Sequence, residues 1–317
     1  MCKKSRVIID TDIGSDIDDA MAIALAMNLP ELHIEGITTV YGDVDLRAKL
    51  TRKLLMLGGR DDISVYAGIE QPLLRNREVW MAGHEGDGVL DKCEDLAYEK
   101  KHAVDFMIET ILNAPNEITI IAIAPLTNLA AAIIREPKII TQVKEIVLMG
   151  GVTRLGANGT TLDRYIEHNV SSDPEAASVV FQSGAPITMV GLDVTTQVTI
   201  SKKERDMLNA SNTPLSRAIV TMLDKWFAFI KEDFTLMHDP LTVSLLVNRD
   251  LVQTEKMDVS VQYDQRAGTG QTVGMPNANG NVDVCLEVNS KAFLQLFCST
   301  LIGSEEGGVA QNIGNNK

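Results

Sequence analysis

The chain has 317 residues, of which 45% are hydrophobic and 23% charged; 43 acids stand against 29 lysines and arginines, a formal charge of -14. Such a balance is poorly suited to holding nucleic-acid backbones or anionic membrane surfaces, and no apolar run is long and charge-free enough to span a bilayer. The first residues, Met1 to Arg6, lead straight into an apolar segment with no signal-peptide region between, so a cytoplasmic location is expected. In chain order, short apolar segments predict strands at Val7–Asp10, His33–Val40, Ile63–Tyr66, Ile118–Ala124, Glu145–Met149 and Ile187–Gly191. Helical patterns fall between them at Ala20–Met27, Val44–Leu57, Ala103–Leu112, Asn128–Ile134 and Pro174–Gln182. This alternation predicts an α/β fold, a mostly parallel Rossmann-like open sheet covered by helices, with ligands bound beyond the carboxyl ends of the strands.

The last third reads differently. Pro214–Glu232 has the pattern of a strong amphipathic helix, and Asp239–Leu246 that of a shorter one. Met257–Tyr263 and Val282–Val288 alternate with period two around Gly268–Val273, which predicts a small antiparallel excursion beside the main sheet. Ser290–Leu301 closes the fold as a helix, and the Gly- and Asn-rich Gly303–Lys317 is expected to be a frayed tail after a single domain over 1–302. Cys2, Cys93, Cys285 and Cys298 lie far apart with no CxxC pair, so free thiols are expected, not a zinc site or disulfides.

Chemistry concentrates at the first strand–helix junction, where Asp10, Asp12, Asp16, Asp18 and Asp19 fall within ten residues. Asp10 and Asp12 share one side of a strand end, and the other three sit where a helix dipole tolerates negative charge. Repulsion among five carboxylates calls for a hard divalent cation with oxygen ligands, although Asp16 is also a candidate for a mere helix cap. An EF-hand loop counted from Asp10 would need Gly at its sixth place and an acid at its twelfth; Ser15 and Met21 stand there. A phosphatase of the haloacid dehalogenase type also opens with Asp-x-Asp at a strand end, but its second Asp is not usually followed by a further acidic cluster.

Asp10-Thr-Asp12-Ile-Gly14 with Asp18-Asp19-Ala20 resembles the opening signature of the nucleoside hydrolases, the inosine–uridine-preferring N-ribohydrolase family. Further segments follow in order: Gly36-Ile-Thr-Thr-Val40, Ala124-Pro-Leu-Thr-Asn128, Ile146 to Gly151, Glu167-His-Asn169 with Asp173 to Ala177, and His238-Asp239-Pro240. The resemblance implies hydrolysis of the N-glycosidic bond of ribonucleosides with a bound Ca²⁺. Its ligands would be Asp12, Asp19, Asp239 and the backbone carbonyl of Ile123, an oxygen set that Ca²⁺ prefers. Asp12 would also be the general base, Asp18 would bind the ribose 2′-hydroxyl, and Glu167 with Asn169 the 3′ and 5′ side. His238 would protonate the leaving base; alternatively it merely opens the helix at Asp239-Pro240. His84 falls where the family carries a mobile loop with a base-facing histidine, and Gly83, Gly86 and Gly88 suit such a loop.

Departures from the family pattern fall on substrate preference. The extra residues around Asp16-Ile17 lengthen the opening motif, Asp43 replaces a usual Asn, Thr161 stands where an Asn is usual, and His168 replaces an aromatic residue. Trp80, Trp226, Phe227 and Phe229 offer aromatic surface for the base, with helix spacing assigning at least one of the last three to the core. A small-molecule nucleoside partner and a homodimer or homotetramer complete what the resemblance implies. The rival readings are the phosphatase and a non-catalytic Ca²⁺-dependent nucleoside- or sugar-binding protein.

Overall fold

The computed structural model describes residues 4–91, 94, 96–153 and 166–302. The tail at 303–317, Cys2, Cys93 and the positions of Asn158 and Thr161 lie outside the described residues. Strand β1 (Ser5–Thr11) leads through the acid-rich turn into helix α1 (Asp18–Asn28), and β2 (Leu32–Thr39) is followed by α2 (Val44–Leu57) and the short β3 (Val65–Ala67). Then come α3 (Ala103–Asn113), β4 (Ile118–Ile123), α4 (Thr127–Arg135), α5 (Ile139–Gln142) and β5 (Glu145–Met149). Next are α6 (His168–Ser172), α7 (Pro174–Phe181), β6 (Ile187–Val190) and α8 (Leu192–Thr195). A small hairpin of β7 (Thr199–Ser201) and β8 (Phe234–Leu236) brackets α9 (Lys202–Ser211) and α10 (Pro214–Ile230). The chain continues through α11 (His238–Ser244), β9 (Val252–Val261), β10 (Thr272–Pro276), β11 (Val282–Val288) and α12 (Ser290–Ile302).

Among the described residues the main sheet has nine strands in the order β10-β9-β11-β6-β5-β4-β1-β2-β3. Its pairs are parallel from β3 through to β11, while β9 runs antiparallel to both β11 and β10. The antiparallel excursion expected beside the sheet is therefore an extension of it, joined through the parallel β6–β11 pair. Two apolar layers sandwich the sheet, as its continuous hydrophobic strands require.

Helix α1 is buried from Asp18 through Met27, on every face, because it lies between the sheet and the helices α11 and α12. A helix of this kind is apolar all round, and the run Ala-Met-Ala-Ile-Ala-Leu-Ala-Met supplies that, with small alanines permitting close approach. Each large side chain removed from water there, such as Ile23 or Leu25, contributes about 1.5–3 kcal/mol. The acids at its start are thereby carried into the interior.

Register sets the mouth of the site. Thr11 at the end of β1 pairs with Thr39 of β2 and with Ile123 of β4, so three strand ends are level. Asn128 ties them together: its amide donates to Asp10 Oδ1 (2.9 Å) and to the Thr39 carbonyl (3.0 Å), and its carbonyl accepts from the Ile69 N–H (2.9 Å). A Cβ on Gly68 would stand 2.3 Å from Asn128 Oδ1, so glycine is what lets the β3 exit approach this side chain. Asn128→Ala removes a donor from Asp10 and from the Thr39 carbonyl and the acceptor of the Ile69 N–H, and is expected to cost about 2–4 kcal/mol in urea unfolding; an unchanged midpoint would show that Asn128 does not brace the strand ends.

Candidate active site

The backbone turns sharply after β1. Gly14 takes φ of 122°, a region that favours glycine, and Ile17 occupies the N-cap of α1 without a side-chain cap bond. Asp16 is therefore not the cap of this helix; it sits in the turn, with a carboxylate oxygen within 4.8 Å of those of Asp18 and Asp19. Asp10 stays inside β1, accepting from Thr38 Oγ1 (2.6 Å) and Asn128, while its Oδ2 has no hydrogen-bond partner among the described residues. Asp19 accepts a short hydrogen bond from the Thr11 hydroxyl.

Beyond the strand ends lies a cavity of about 290 Å³. The turn contributes Asp12, Ser15, Asp16, Asp18 and Asp19; β4 ends in it at Ile123 and β5 at Met149. The start of α6 brings Glu167, His168 and Asn169, and α11 brings His238 and Asp239. The backbone N–H of Asp239 reaches Asp18 Oδ2 at 3.4 Å, joining residues 221 apart in sequence. All the residues expected as metal ligands, base and acid meet here, and so do Asp18, Glu167, His168 and Asn169.

Electrostatics follow from burial. It pushes Asp18, Asp19 and Asp239 well above the usual carboxylate range, and repulsion from neighbouring acids, Asp16 among them, adds to it. Asp12 is also raised by burial, but Arg47 and His168 pull it back down. Arg47, fully buried, donates to the carbonyls of Tyr41 (2.7 Å) and Ile13 (2.8 Å). Burial likewise raises Asp10 to about 7, against the hydrogen bonds from Thr38 and Asn128. His238 moves the other way: burial pushes its ring down to about 4, although Asp16 opposes this, and Nδ1 lies 2.7 Å from Thr195 Oγ1. The ring thus makes a specific side-chain contact and does not cap the helix, whose N-cap is Met237.

The sugar and base positions are more mixed. Glu167 caps α6, taking the N–H groups of Asn169 (2.7 Å), Val170 (2.9 Å) and Gly151 (2.9 Å), so its placement on the wall is fixed by backbone. Asn169 donates to the Met149 carbonyl (3.2 Å). His168 stands edge-on to Trp80 at 5.6 Å and to Tyr41 at 6.0 Å, forming an aromatic wall with Trp80, which also lines the cavity. His84 is not on that wall; it lines a small adjoining cleft with Asp16 and Trp226, its ring 5.1 Å from Phe229. Trp226 and Phe229 stack at 5.5 Å, while Phe227 packs against the core. Asp43, expected to add charge near the sugar, is exposed and caps α2 by accepting from the Leu46 N–H (2.9 Å).

The donor set fits a hard divalent cation. Asp16, Asp18 and Asp19 bring carboxylate oxygens within 4.8 Å of one another, and Asp12, Asp239 and Ile123 line the same cavity, a donor set rich in oxygen. Reading the sequence left Asp16 open, and it joins the closest carboxylate trio, Asp16–Asp18–Asp19. It missed Arg47 and Thr195. Arg47 did leave a signal, since it falls on the apolar stripe of α2 beside Val44, Leu50, Thr51 and Leu54; Thr195, on a four-residue helix, left none.

Comparison with known proteins agrees with this geometry. A family model described as inosine-uridine preferring nucleoside hydrolase matches residues 7–295. The chain is 33% identical over 309 residues to a pyrimidine-specific ribonucleoside hydrolase of Citrobacter koseri, covering 93% of this chain and 97% of that one. It is 35% identical over 251 residues to a probable uridine nucleosidase of Arabidopsis thaliana, covering 76% of each. Among solved structures, a plant nucleoside hydrolase superposes with a TM-score of 0.82 at 30% identity, over 95% of this chain and 99% of that chain. With a family match across the sheet and both acid-bearing segments, the chain belongs to the inosine–uridine-preferring nucleoside hydrolases.

Proposed function

We propose that this enzyme hydrolyses the N-glycosidic bond of ribonucleosides, releasing a free base and ribose, and that it does so with Ca²⁺. The observation that carries the reading is the convergence of Asp12, Asp18, Asp19, His238 and Asp239 on one cavity, in a chain of this family. Asp12, Asp19, Asp239 and the Ile123 carbonyl would hold the ion, with Asp16 close enough to compensate charge. When bound, such an ion neutralises the acids and acidifies water in contact with it.

The chain's own groups carry the rest. C1′–N cleavage passes through an oxocarbenium-like state, which a cavity rich in carboxylates stabilises. Asp12 takes a proton from water as its oxygen bonds to C1′, and Asp18, Glu167 and Asn169 orient the sugar hydroxyls. The bonding electrons leave with the base, and His238 supplies a proton to it. His238 gives that proton as imidazolium and is left neutral, the form that burial favours, with the Thr195 hydroxyl held at Nδ1. Trp80 and His168 offer the base a flanking surface, and the relatives named for pyrimidines and uridine make uridine the first substrate to test. The phosphatase reading finds no support in the family match. Assembly as a homodimer or homotetramer and a cytoplasmic setting belong to the same proposal; no helix among the described residues is long and apolar enough to cross a membrane.

Asp12→Asn is expected to lower uridine turnover at least 10³-fold, on the order of the loss of a general base, with the circular dichroism spectrum retained. Near-normal ribose release would remove Asp12 from that role, while a wild type that binds uridine without releasing ribose would favour the non-catalytic reading. His238→Ala should reduce kcat on uridine far more than on a nitrophenyl riboside, whose leaving group needs no proton; equal losses would count against His238 as donor. The raised aspartates bind protons more tightly folded than unfolded, so their contribution to stability is present at low pH and lost as pH rises through their folded values. Ca²⁺ competes with those protons, so the gain in Tm on replacing chelator with Ca²⁺ should be larger at pH 8 than at pH 5. A gain independent of pH would place the ion elsewhere.

A further inference from the structure

We propose that Ser15 and Glu85 form a latch that fixes the segment carrying Trp80 and His84 against the acid-rich turn, making both residues positioning groups for the base side of the site. The proposal rests on reading the cavity as the nucleoside site. Ser15 Oγ donates to Glu85 Oε1 at 2.8 Å. The same carboxylate gathers its own segment, accepting from the N–H groups of Ala82 (2.6 Å) and Gly83 (2.9 Å). Burial alone would raise Glu85, but these donors outweigh it and hold the carboxyl below its usual range.

A second tether lies at the other end of the segment, where the Trp80 N–H donates to Tyr41 Oη at 2.9 Å. Both tethers lead back to Arg47, whose Nε holds the Tyr41 carbonyl and whose Nη2 lies 3.4 Å from Ser15 Oγ. The segment rests on two glycines with positive φ. A Cβ on Gly14 would stand 3.2 Å from Glu85 Cβ, and one on Gly42 would stand 2.9 Å from Met81 Sδ. Ser15 stands next to Asp16-Ile17, the residues expected to lengthen the family's opening motif. Breaking the Ser15–Glu85 contact would free the part of the segment beyond Trp80, with His84, from the acid-rich turn and loosen the wall that Trp80 forms with His168, the Tyr41 tether at Trp80 serving as the hinge.

A ligand that needs the latched state binds more weakly when that state is depopulated. Ser15→Ala and Glu85→Ala should therefore each raise KM for uridine about tenfold, the scale of a lost charge-assisted hydrogen bond, with kcat changing less. The double variant should be no worse than Glu85→Ala alone, because the two residues act through one contact. Glu85→Gln, which keeps an acceptor for Ser15, should fall between wild type and Glu85→Ala. Hydrogen–deuterium exchange of the 79–88 segment, measured without substrate, should rise in Ser15→Ala while the strands keep their protection. This last readout needs no turnover, so the latch can be judged even if uridine proves not to be a substrate. Additive KM effects, or unchanged exchange at 79–88 in Ser15→Ala, would overturn the latch.

Discussion

Like charge gathered around one small cavity is the constraint on which this structure depends. Two carboxylates 4 Å apart repel by about 4 kcal/mol at the effective dielectric of protein interiors, and Asp12, Asp18, Asp19 and Asp239 are all buried around one cavity. Arg47 answers part of that charge from behind the turn, pulling down Asp12 and Asp19. The level strand ends, the interior placement of α1 and the delivery of Asp239 by α11 gather the acids on one side of a cavity whose other walls carry His168, His238 and Trp80.

Much of the fold was legible because its periodicities are pure. The apolar runs at β4 and β5 and the helical stripe of α2 appear at the expected residues, since buried parallel strands and amphipathic helices write themselves directly into hydrophobicity. Helix α9 was not read: only Glu204 and Leu208 of it are buried, so no stripe marks it, although Ser201 and Glu204 form a capping box that a reader of caps would have caught. The gathering of the acid-rich turn with Asp239 came from resemblance, because no local pattern foretells the Asp18–Asp239 contact across 221 residues.

The base side shows where residue type stops being informative. His84 carries the expected identity but faces the Trp226–Phe229 stack from an adjoining cleft, while Trp80 and His168 take the cavity wall. Asp43 carries a charge that a short helix-cap bond diverts away from the site. Glu167 can serve a sugar only from the orientation its three backbone donors impose. For Asp43 and Glu167 the side chain's chemistry was plain, and its direction was decided by the backbone N–H groups it accepts from.

The all-round burial of α1 has a consequence for how the molecule is made. Its apolar surface is covered by α11 and α12, segments that lie more than two hundred residues downstream. During synthesis, one of the most fully buried helices of the described chain is made well before two of the helices that cover it. Loop closure over that distance carries an entropic cost, so the acids of the first turn gain Asp239 as a neighbour only once α11 has packed on α1.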